Sequence, residues 1–356
     1  MKTIMLIVPS LVRGGVERVA SVLSKEFSKY YQVFVVIYHG PIEYEIKGKL
    51  INLKTPTGSF LRKMKNTFHR VIKLRKLIKE ISPDYIVSFM GNLQPVLASK
   101  AIIASIHSNP NRLRFYRKFL LKTIYKLPNV KKIITVSRGI EKKLNNQFNL
   151  KKTKTIHNPI DLNLINKKLL YPKPFGFDYI LAVGRLSREK GFDILINAFA
   201  KLNFKNKIKL IILGEGKERK NLEKLIDELD LKNQVLLCGV VDNPFIYMKY
   251  ANFFILPSKS EGFPIVLLEA LACGIPVIAT NCETGPSEII ENEKNGLLIP
   301  VEDEEALKDK MEKLFYDNEL YMKLKTNARR SIKKFDIKNI VQEWIELFES
   351  MNIHVN

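Results

Sequence analysis

Short runs rich in valine and isoleucine alternate with amphipathic stretches along almost the whole chain, and few folds accommodate that alternation. It is the pattern of βαβ units, in which a parallel sheet buries its strands between layers of helices. In the first half the strand candidates are TIMLIV (3–8), VFVVIY (33–38), DYIVSF (84–89), IIASIH (102–107) and KIITV (132–136). Between them Val16, Val19, Ala20, Leu23 and Phe27 fall at helical spacing, as do Leu61, Met64, Phe68, Val71, Leu74, Ile78 and Ile81. The alternation restarts with YILAV (179–183), KLIILG (209–214), QVLLCG (234–239), NFFILP (252–257), IPVIAT (275–280) and GLLIP (296–300). An α/β chain of two doubly wound, Rossmann-like domains is therefore expected, and 356 residues suffice for two cores. The domains read as 1–165 and 173–335, with the linker inside 158–177, where prolines interrupt a stretch without clear period. A last helical segment, 336–356, sets Ile340, Trp344, Leu347 and Phe348 on one face and is expected to pack back on the first domain.

Composition narrows the setting. Cys238, Cys273 and Cys282 form no paired framework and show neither CxxC nor Cys/His metal spacing, which suits a reducing cytosol and predicts small buried side chains. No run approaches the roughly 18 apolar residues of a membrane span, and the apolar stretch from Ile4 to Val8 is too short for a signal peptide. A cytoplasmic protein is expected. The formal charge of +23 is unevenly spread, with 33 basic and 8 acidic residues up to Pro172 against 26 and 28 beyond it. Between Ile46 and Ile140 the only carboxylates are Glu80 and Asp84. So one-sided a field favours a polyanionic partner, whether anionic lipid, a phosphate-rich acceptor or nucleic acid. Within 60–81, Arg62, Lys63, Lys65, Arg70, Lys73, Arg75, Lys76 and Lys79 flank the apolar stripe, the pattern of a helix lying on an anionic membrane surface. A packed helix with a solvated basic face has the same pattern. The arginine-rich segment from Arg112 to Lys126 is the next such candidate.

Three loops carry chemistry. PSLVRGGVERV follows a strand and opens a helix, so Gly14 and Gly15 stand where backbone N–H groups and the helix dipole favour an anion. It is not GxGxxG, and the second strand ends at Tyr38-His39 without the acidic residue a dinucleotide domain wants, so nicotinamide binding is disfavoured. GRLSREKG (184–191) places Arg185 and Lys190 after a strand, at the edge where open α/β sheets bind ligands, and GEG (214–216) turns at the same edge. In SEGFPIVLLEALACGIPVIAT, Pro264 suits the first helical position. Glu261 then stands just outside the helix N-terminus and Glu269 in its second turn. Carboxylates accept hydrogen bonds from vicinal sugar hydroxyls, and free N–H groups suit a phosphate between them.

These loops, together with IHSNP (106–110), TVS (135–137), HNPID (157–161), and GPSEII followed by NGLLIP, make the chain resemble the retaining glycosyltransferases of the family-four type over nearly its whole length. The resemblance implies the GT-B fold, two Rossmann-like domains facing a cleft, with the first domain binding the acceptor and the second the nucleotide-sugar. It assigns Arg185 and Lys190 to the donor diphosphate, Glu261 to the sugar hydroxyls near the reacting carbon and Glu269 to the ribose. Gly15 and the segment Gly262, Phe263, Pro264, Ile265 and Val266 are implied to contact phosphate and sugar through their backbone, and Gly239-Val240 to wall the base. His107 matches a cleft histidine that reaches the transferred sugar. Front-face transfer with retention is implied; no Asp-x-Asp motif occurs, so no metal or cofactor is expected beyond the donor.

EGFPIVLLEAL and CETGPSEII look most like enzymes that build bacterial lipid-linked oligosaccharides and surface polysaccharides from UDP-sugars, often N-acetylhexosamines or galactose. The expected partners are then a UDP-sugar, a polyprenyl-diphosphate-linked saccharide and the anionic inner face of the plasma membrane, which the basic half meets peripherally. Transfer to a soluble glycan and nucleotide-sugar epimerisation share the fold. A nucleic-acid binder would use the basic half, but no recognisable DNA- or RNA-binding motif occurs and Glu261 and Glu269 would be left without a role.

Overall fold

The computed structural model describes residues 1–12, 14–55, 60–89, 92–112 and 115–351, with backbone alone for 60–65, 112 and 115. Every strand pairing among the described residues is parallel. One sheet comprises β1 (Thr3–Val8), β2 (Gln32–Ile37), β3 (Lys49–Asn52), β4 (Tyr85–Phe89), β5 (Ile102–Ile106), β6 (Val130–Thr135) and β7 (Thr153–Thr155), in the order β3-β2-β1-β4-β5-β6-β7. The other comprises β8 (Tyr179–Val183), β9 (Lys209–Leu213), β10 (Val235–Gly239), β11 (Phe253–Leu256), β12 (Val277–Thr280) and β13 (Leu297–Ile299), in the order β10-β9-β8-β11-β12-β13. The central strands are buried along nearly their whole length, which is why they read as continuous apolar runs.

The chain divides into two compact units, Met1–Pro159 with Phe335–Asn356, and Ile160–Lys334. In the first unit the connections are α1 (Gly15–Phe27), α2 (Phe60–Ile81), α3 (Leu93–Ala98), α4 (Phe115–Lys126) and α5 (Arg138–Phe148). The second contains α6 (Leu162–Lys168), α7 (Phe192–Ala200), α8 (Arg219–Glu228), α9 (Pro244–Tyr250), α10 (Ile265–Ala272), α11 (Pro286–Ile289), α12 (Glu304–Tyr316) and α13 (Asn318–Ser331). The last helix, α14 (Ile337–Ser350), belongs to the first unit and packs on α1. Right-handed crossovers put α1 on one face of the first sheet and α2 to α5 on the other, because α2 reverses the direction in which strands are added. The α1 face is closed by rings: Phe348 stacks on Tyr85 at 4.6 Å and meets Phe27 edge-on at 5.7 Å, with Trp344 and Tyr31 beside them.

Several sequence expectations are corrected. The segments β3 and β7 lack an apolar run and go unread; they are short edge strands, only partly covered. The stretch 158–177 is not devoid of regular structure, since Asp161 caps α6 by accepting from the Leu164 N–H at 2.9 Å. On α2, Val71, Leu74 and Ile78 are buried, but Phe68 at helical spacing with them is exposed. Nor is the basic face of α2 wholly solvated. Arg70 donates from Nε to Thr55 Oγ1 at 2.9 Å and lies over the Tyr38 ring at 4.7 Å, and Lys73 donates to the Leu53 carbonyl at 2.8 Å. These two cations tie α2 to the strand ends beneath it. The side chains of Leu61, Arg62, Lys63, Met64, Lys65 and Arg112, and Arg13 and Arg114 entirely, lie outside the described residues. Of the cysteines only Cys282 is fully buried, and Cys238 is exposed because β10 is an edge strand.

Phe348→Ala is expected to remove the cover of the α1 face and to lower stability by about 3–5 kcal/mol, the usual cost of emptying a buried aromatic site. Chemical denaturation monitored at Trp344 reads this, and an unchanged midpoint would show that α14 adds little to the first unit.

Candidate active site

In a parallel sheet all strands end at one edge, and a crevice opens where the strand order reverses. In the second unit that reversal lies between β8 and β11. The loop after β8 carries Arg185 and Lys190, and the loop after β11 carries Glu261. Lys190 Nζ donates to Glu261 Oε1 at 2.6 Å, with the two side chains only 22% and 10% exposed. The pair thus bridges the crevice. Sequence reading gives the two residues separate tasks; the structure shows that each also holds the other.

Neighbouring groups fix Glu261 further. Ser258 Oγ donates to the same carboxylate oxygen at 2.7 Å, and Thr284 Oγ1 donates to the Glu261 carbonyl. Cys282 Sγ lies 3.0 Å from the Ser258 carbonyl, which Thr280 Oγ1 also meets. Burial pushes the Cys282 thiol up to about 11, so it is an inert donor and no nucleophile. Ser258 and Thr284 escape sequence reasoning, although Ser258 stands three residues before Glu261 and Thr284 opens the TGPSE turn.

The helix that follows, α10, packs against α6, α9, α11 and α13, which explains its almost uniformly apolar sequence. Pro264 is its N-cap rather than its first helical residue, with φ −76° and ψ 102°. Pro264 and Phe263 are buried, whereas Gly262, Ile265 and Val266 are partly open. Gly285 after β12 has φ +98°, and a Cβ there would stand 2.8 Å from Pro264 Cδ and 2.9 Å from the Gly262 carbonyl, so the turn lies flat against 262–264. Glu269 is 4% exposed in the second turn of α10. An acid so enclosed in an apolar helix has a stringent polar requirement.

Around this centre the other loops interlock. The Leu186 N–H donates to the Glu215 carbonyl at 2.9 Å and the Glu218 N–H to the Leu186 carbonyl at 3.0 Å, which locks GEG against GRLSREKG. Arg185 is exposed. Its side chain makes no hydrogen bond or ion pair among the described residues. Val240, beyond the end of β10, is also exposed.

In the first unit the strand order reverses between β1 and β4. Gly15 opens α1 after β1, and Gly14 is its N-cap, with the flexible Glu17 carboxylate folded back against it from the first turn. His107 follows β5. Its Nε2 lies 2.9 Å from Ser105 Oγ, its ring stands 5.6 Å from Phe89, and Asn92 reaches both the Ser105 carbonyl and Tyr125 Oη. Burial pushes the imidazole down to about 3, outweighing the adjacent Asn158 side chain, which acts in the opposite sense. His107 is therefore a neutral hydrogen-bonding group near pH 7.

Comparison with known proteins decides the family. The model for glycosyl transferases group 1 matches residues 171–331, and that for glycosyltransferase family 4 matches residues 13–164. A Campylobacter jejuni N-acetylgalactosamine-N,N'-diacetylbacillosaminyl-diphospho-undecaprenol 4-alpha-N-acetylgalactosaminyltransferase is 31% identical, over 96% of this chain and 98% of that protein. The chain belongs to the family-4 glycosyltransferases. A second C. jejuni enzyme, an alpha-1,4-N-acetyl-D-galactosaminyltransferase acting on a diNAcBac-PP-undecaprenol-linked saccharide, is 27% identical over 98% of each chain. Among solved structures, Anabaena HepE in complex with UDP and glucose superposes with a TM-score of 0.83 at 20% identity, covering 98% of this chain and 100% of that one. The two parallel-sheet units of this glycosyltransferase are those of the GT-B fold.

Two outcomes follow from the geometry. In a double-mutant cycle of Lys190→Ala and Glu261→Ala read by chemical denaturation, a coupling of about 0.5–3 kcal/mol is expected for a contacting pair; additive effects would mean that the 2.6 Å contact does not form in solution. For His107, an unfolded chain takes up a proton below about pH 6.5 while the folded imidazole resists it, so stability falls on acidification from there toward pH 3. Between pH 7 and 5 the wild type should lose up to about 2 kcal/mol more than His107→Gln. Equal losses would place the imidazole in contact with water.

Proposed function

We propose that the protein transfers a hexose or N-acetylhexosamine from a UDP-sugar to a polyprenyl-diphosphate-linked saccharide at the cytoplasmic face of the membrane. The observation that carries this reading is the Lys190–Glu261 pair at the β8/β11 reversal, beside the open N-terminal turn of α10. An ammonium has three donors, so Lys190 can hold Glu261 and still meet a diphosphate oxygen. Arg185, with no ion-pair partner among the described residues, supplies a second cation. The N–H groups at Ile265 and Val266 add the positive end of a helix dipole. Together they stabilise the departing UDP, whose negative charge grows as the anomeric bond breaks, and preorganised charges of this kind supply much of the rate of such reactions. Glu261 accepts from hydroxyls of the transferred sugar, Glu269 from the ribose, and Val240 walls the base. Retention follows if the acceptor hydroxyl attacks from the face the diphosphate leaves, with a diphosphate oxygen taking its proton.

In this reading the second unit is the donor domain and the first the acceptor domain, and the family resemblance assigns Gly14, Gly15 and His107 to contacts with sugar and phosphate. The two Campylobacter relatives, whose names specify undecaprenol-diphosphate-linked saccharides, support the lipid-linked acceptor. The excess charge of residues 1–172 suits an anionic leaflet and a diphosphate-bearing lipid. No described helix is long and apolar enough to cross a membrane, so attachment at the surface is the mode proposed.

A panel of UDP- and GDP-sugars, offered with and without a polyprenyl-diphosphate-linked saccharide and a soluble glycan, tests this reading. A UDP-sugar should be consumed with the lipid-linked acceptor, in EDTA as well as in magnesium, and Glu261→Ala should lose activity 10²-fold or more. Conversion of the donor sugar without acceptor would indicate epimerisation, preference for the soluble glycan would replace the lipid, and activity restored only by a divalent ion would assign a metal.

A further inference from the structure

Six large apolar side chains stand exposed on three neighbouring helices of the first unit. They are Phe68 (70%) and Ile72 on α2, Leu97 on α3, and Tyr116, Phe119 (68%) and Leu120 on α4. The three helices share one layer on the sheet. Helix α3 packs against both others, Gln94 Nε2 donates to Thr67 Oγ1 at 3.4 Å, and Arg75 Nη2 donates to the Leu97 carbonyl at 2.9 Å. Phe68 and Ile72 are one helical turn apart, as are Tyr116 and the Phe119-Leu120 pair, so α2 and α4 each present a stripe, with Leu97 of α3 on the helix between them.

The core does not need these residues. Val71, Leu74 and Ile78 already bury the inner side of α2, and Ile124 and Tyr125 that of α4. Single exposed apolar residues are ordinary, but a group on adjacent helices marks a contact surface. The polar residues beside them indicate which kind. Lys76, Lys79, Arg117 and Lys126 are exposed on the same helices, and Glu80 is the one carboxylate in the sequence from 60 to 126 besides Asp84, which lies beyond α2. Aromatic rings set among cations, with almost no acid, suit the headgroup layer of an anionic leaflet, where rings reach the acyl boundary and lysines meet phosphates.

We propose that the α2–α4 face docks on an anionic bilayer by inserting Phe68, Ile72, Tyr116, Phe119 and Leu120, with the surrounding cations holding lipid phosphates. This deepens the lipid-acceptor reading on which it rests, and it changes the mechanism of attachment from charge alone. Arg70 and Lys73 are committed to Thr55, Tyr38 and Leu53, so part of the charge that α2 carries in sequence is unavailable to lipid. Insertion of rings, unlike attraction between charges, persists when salt screens the surface.

The full chain, without donor or acceptor, is sedimented with vesicles of phosphatidylglycerol and phosphatidylcholine, and with phosphatidylcholine alone. Phe68→Ser/Phe119→Ser should weaken partition to the anionic vesicles by at least about tenfold, at low salt and at roughly 0.5 M, with an unchanged thermal midpoint. Lys76→Gln/Lys79→Gln should weaken it at low salt only. In Phe119→Trp, emission should shift to the blue on adding anionic vesicles. The proposal falls if the serine variant sediments like the wild type, if the emission of Phe119→Trp does not move, or if the wild type self-associates through this face and binds no vesicles. No transfer is measured, so failure here leaves the glycosyltransferase reading standing, and a wrong acceptor leaves the vesicle result intact.

Discussion

Parallel pairing is the constraint from which the rest of this molecule follows. A parallel strand cannot be reached by a hairpin, so each needs a crossover, and crossovers of one hand force a sheet that grows in both directions to reverse beside its first strand. Both sheets do so, at β1/β4 and at β8/β11. The reversal leaves two loops diverging from adjacent strand ends with no helix between them, and in the second unit these loops carry Arg185, Lys190 and Glu261. The site is a by-product of topology before it is a feature of any particular residue.

What occupies that gap is an ion pair held by further hydrogen bonds. Glu261 receives Lys190 and Ser258 on one carboxylate oxygen, while Thr284 and the Cys282–Ser258 contact hold the backbone beneath it. Isolating an acid and a base in a partly dry crevice is costly for each alone, and pairing offsets much of that cost. The same pairing, with Ser258 on the same oxygen, keeps the carboxylate in one orientation. In the first unit the group singled out is uncharged and stands one strand away from the reversal, after β5: His107, pushed to neutrality by burial, is held by Ser105, which Asn92 ties to Tyr125.

The sequence discloses the fold to the extent that burial is uniform. Strands covered on both faces, such as MLIV within β1 or LIIL within β9, are legible as apolar runs; β3, with Lys49 and Asn52, and β7, with Lys154, are edge strands whose partly covered, polar side chains erase that signal. The loops of the candidate site are legible as types: cations after one strand, a glycine and two acids around a helix start. That Lys190 meets Glu261, seventy-one residues away, is not legible, because position along the chain names a sheet edge but not a partner. Helix α2 fails in the opposite direction. Its period is read correctly, yet periodicity cannot say that Arg70 is drawn onto Tyr38 while Phe68 is left in water. Those choices depend on which strand ends lie beneath.

The aromatic cluster over α1 joins Phe27 and Tyr85 to Trp344 and Phe348, residues from opposite ends of the chain. The second unit, Ile160–Lys334, is by contrast one uninterrupted stretch. During synthesis from the amino end, the second unit therefore has its whole sequence before α14 exists, whereas the first, though begun earlier, cannot close its ring cluster until α14 has left the ribosome. The domain that starts first finishes last, and for the time it takes to make some two hundred further residues at about 5–20 per second the Phe27–Tyr31–Tyr85 surface lacks the cover that α14 will provide.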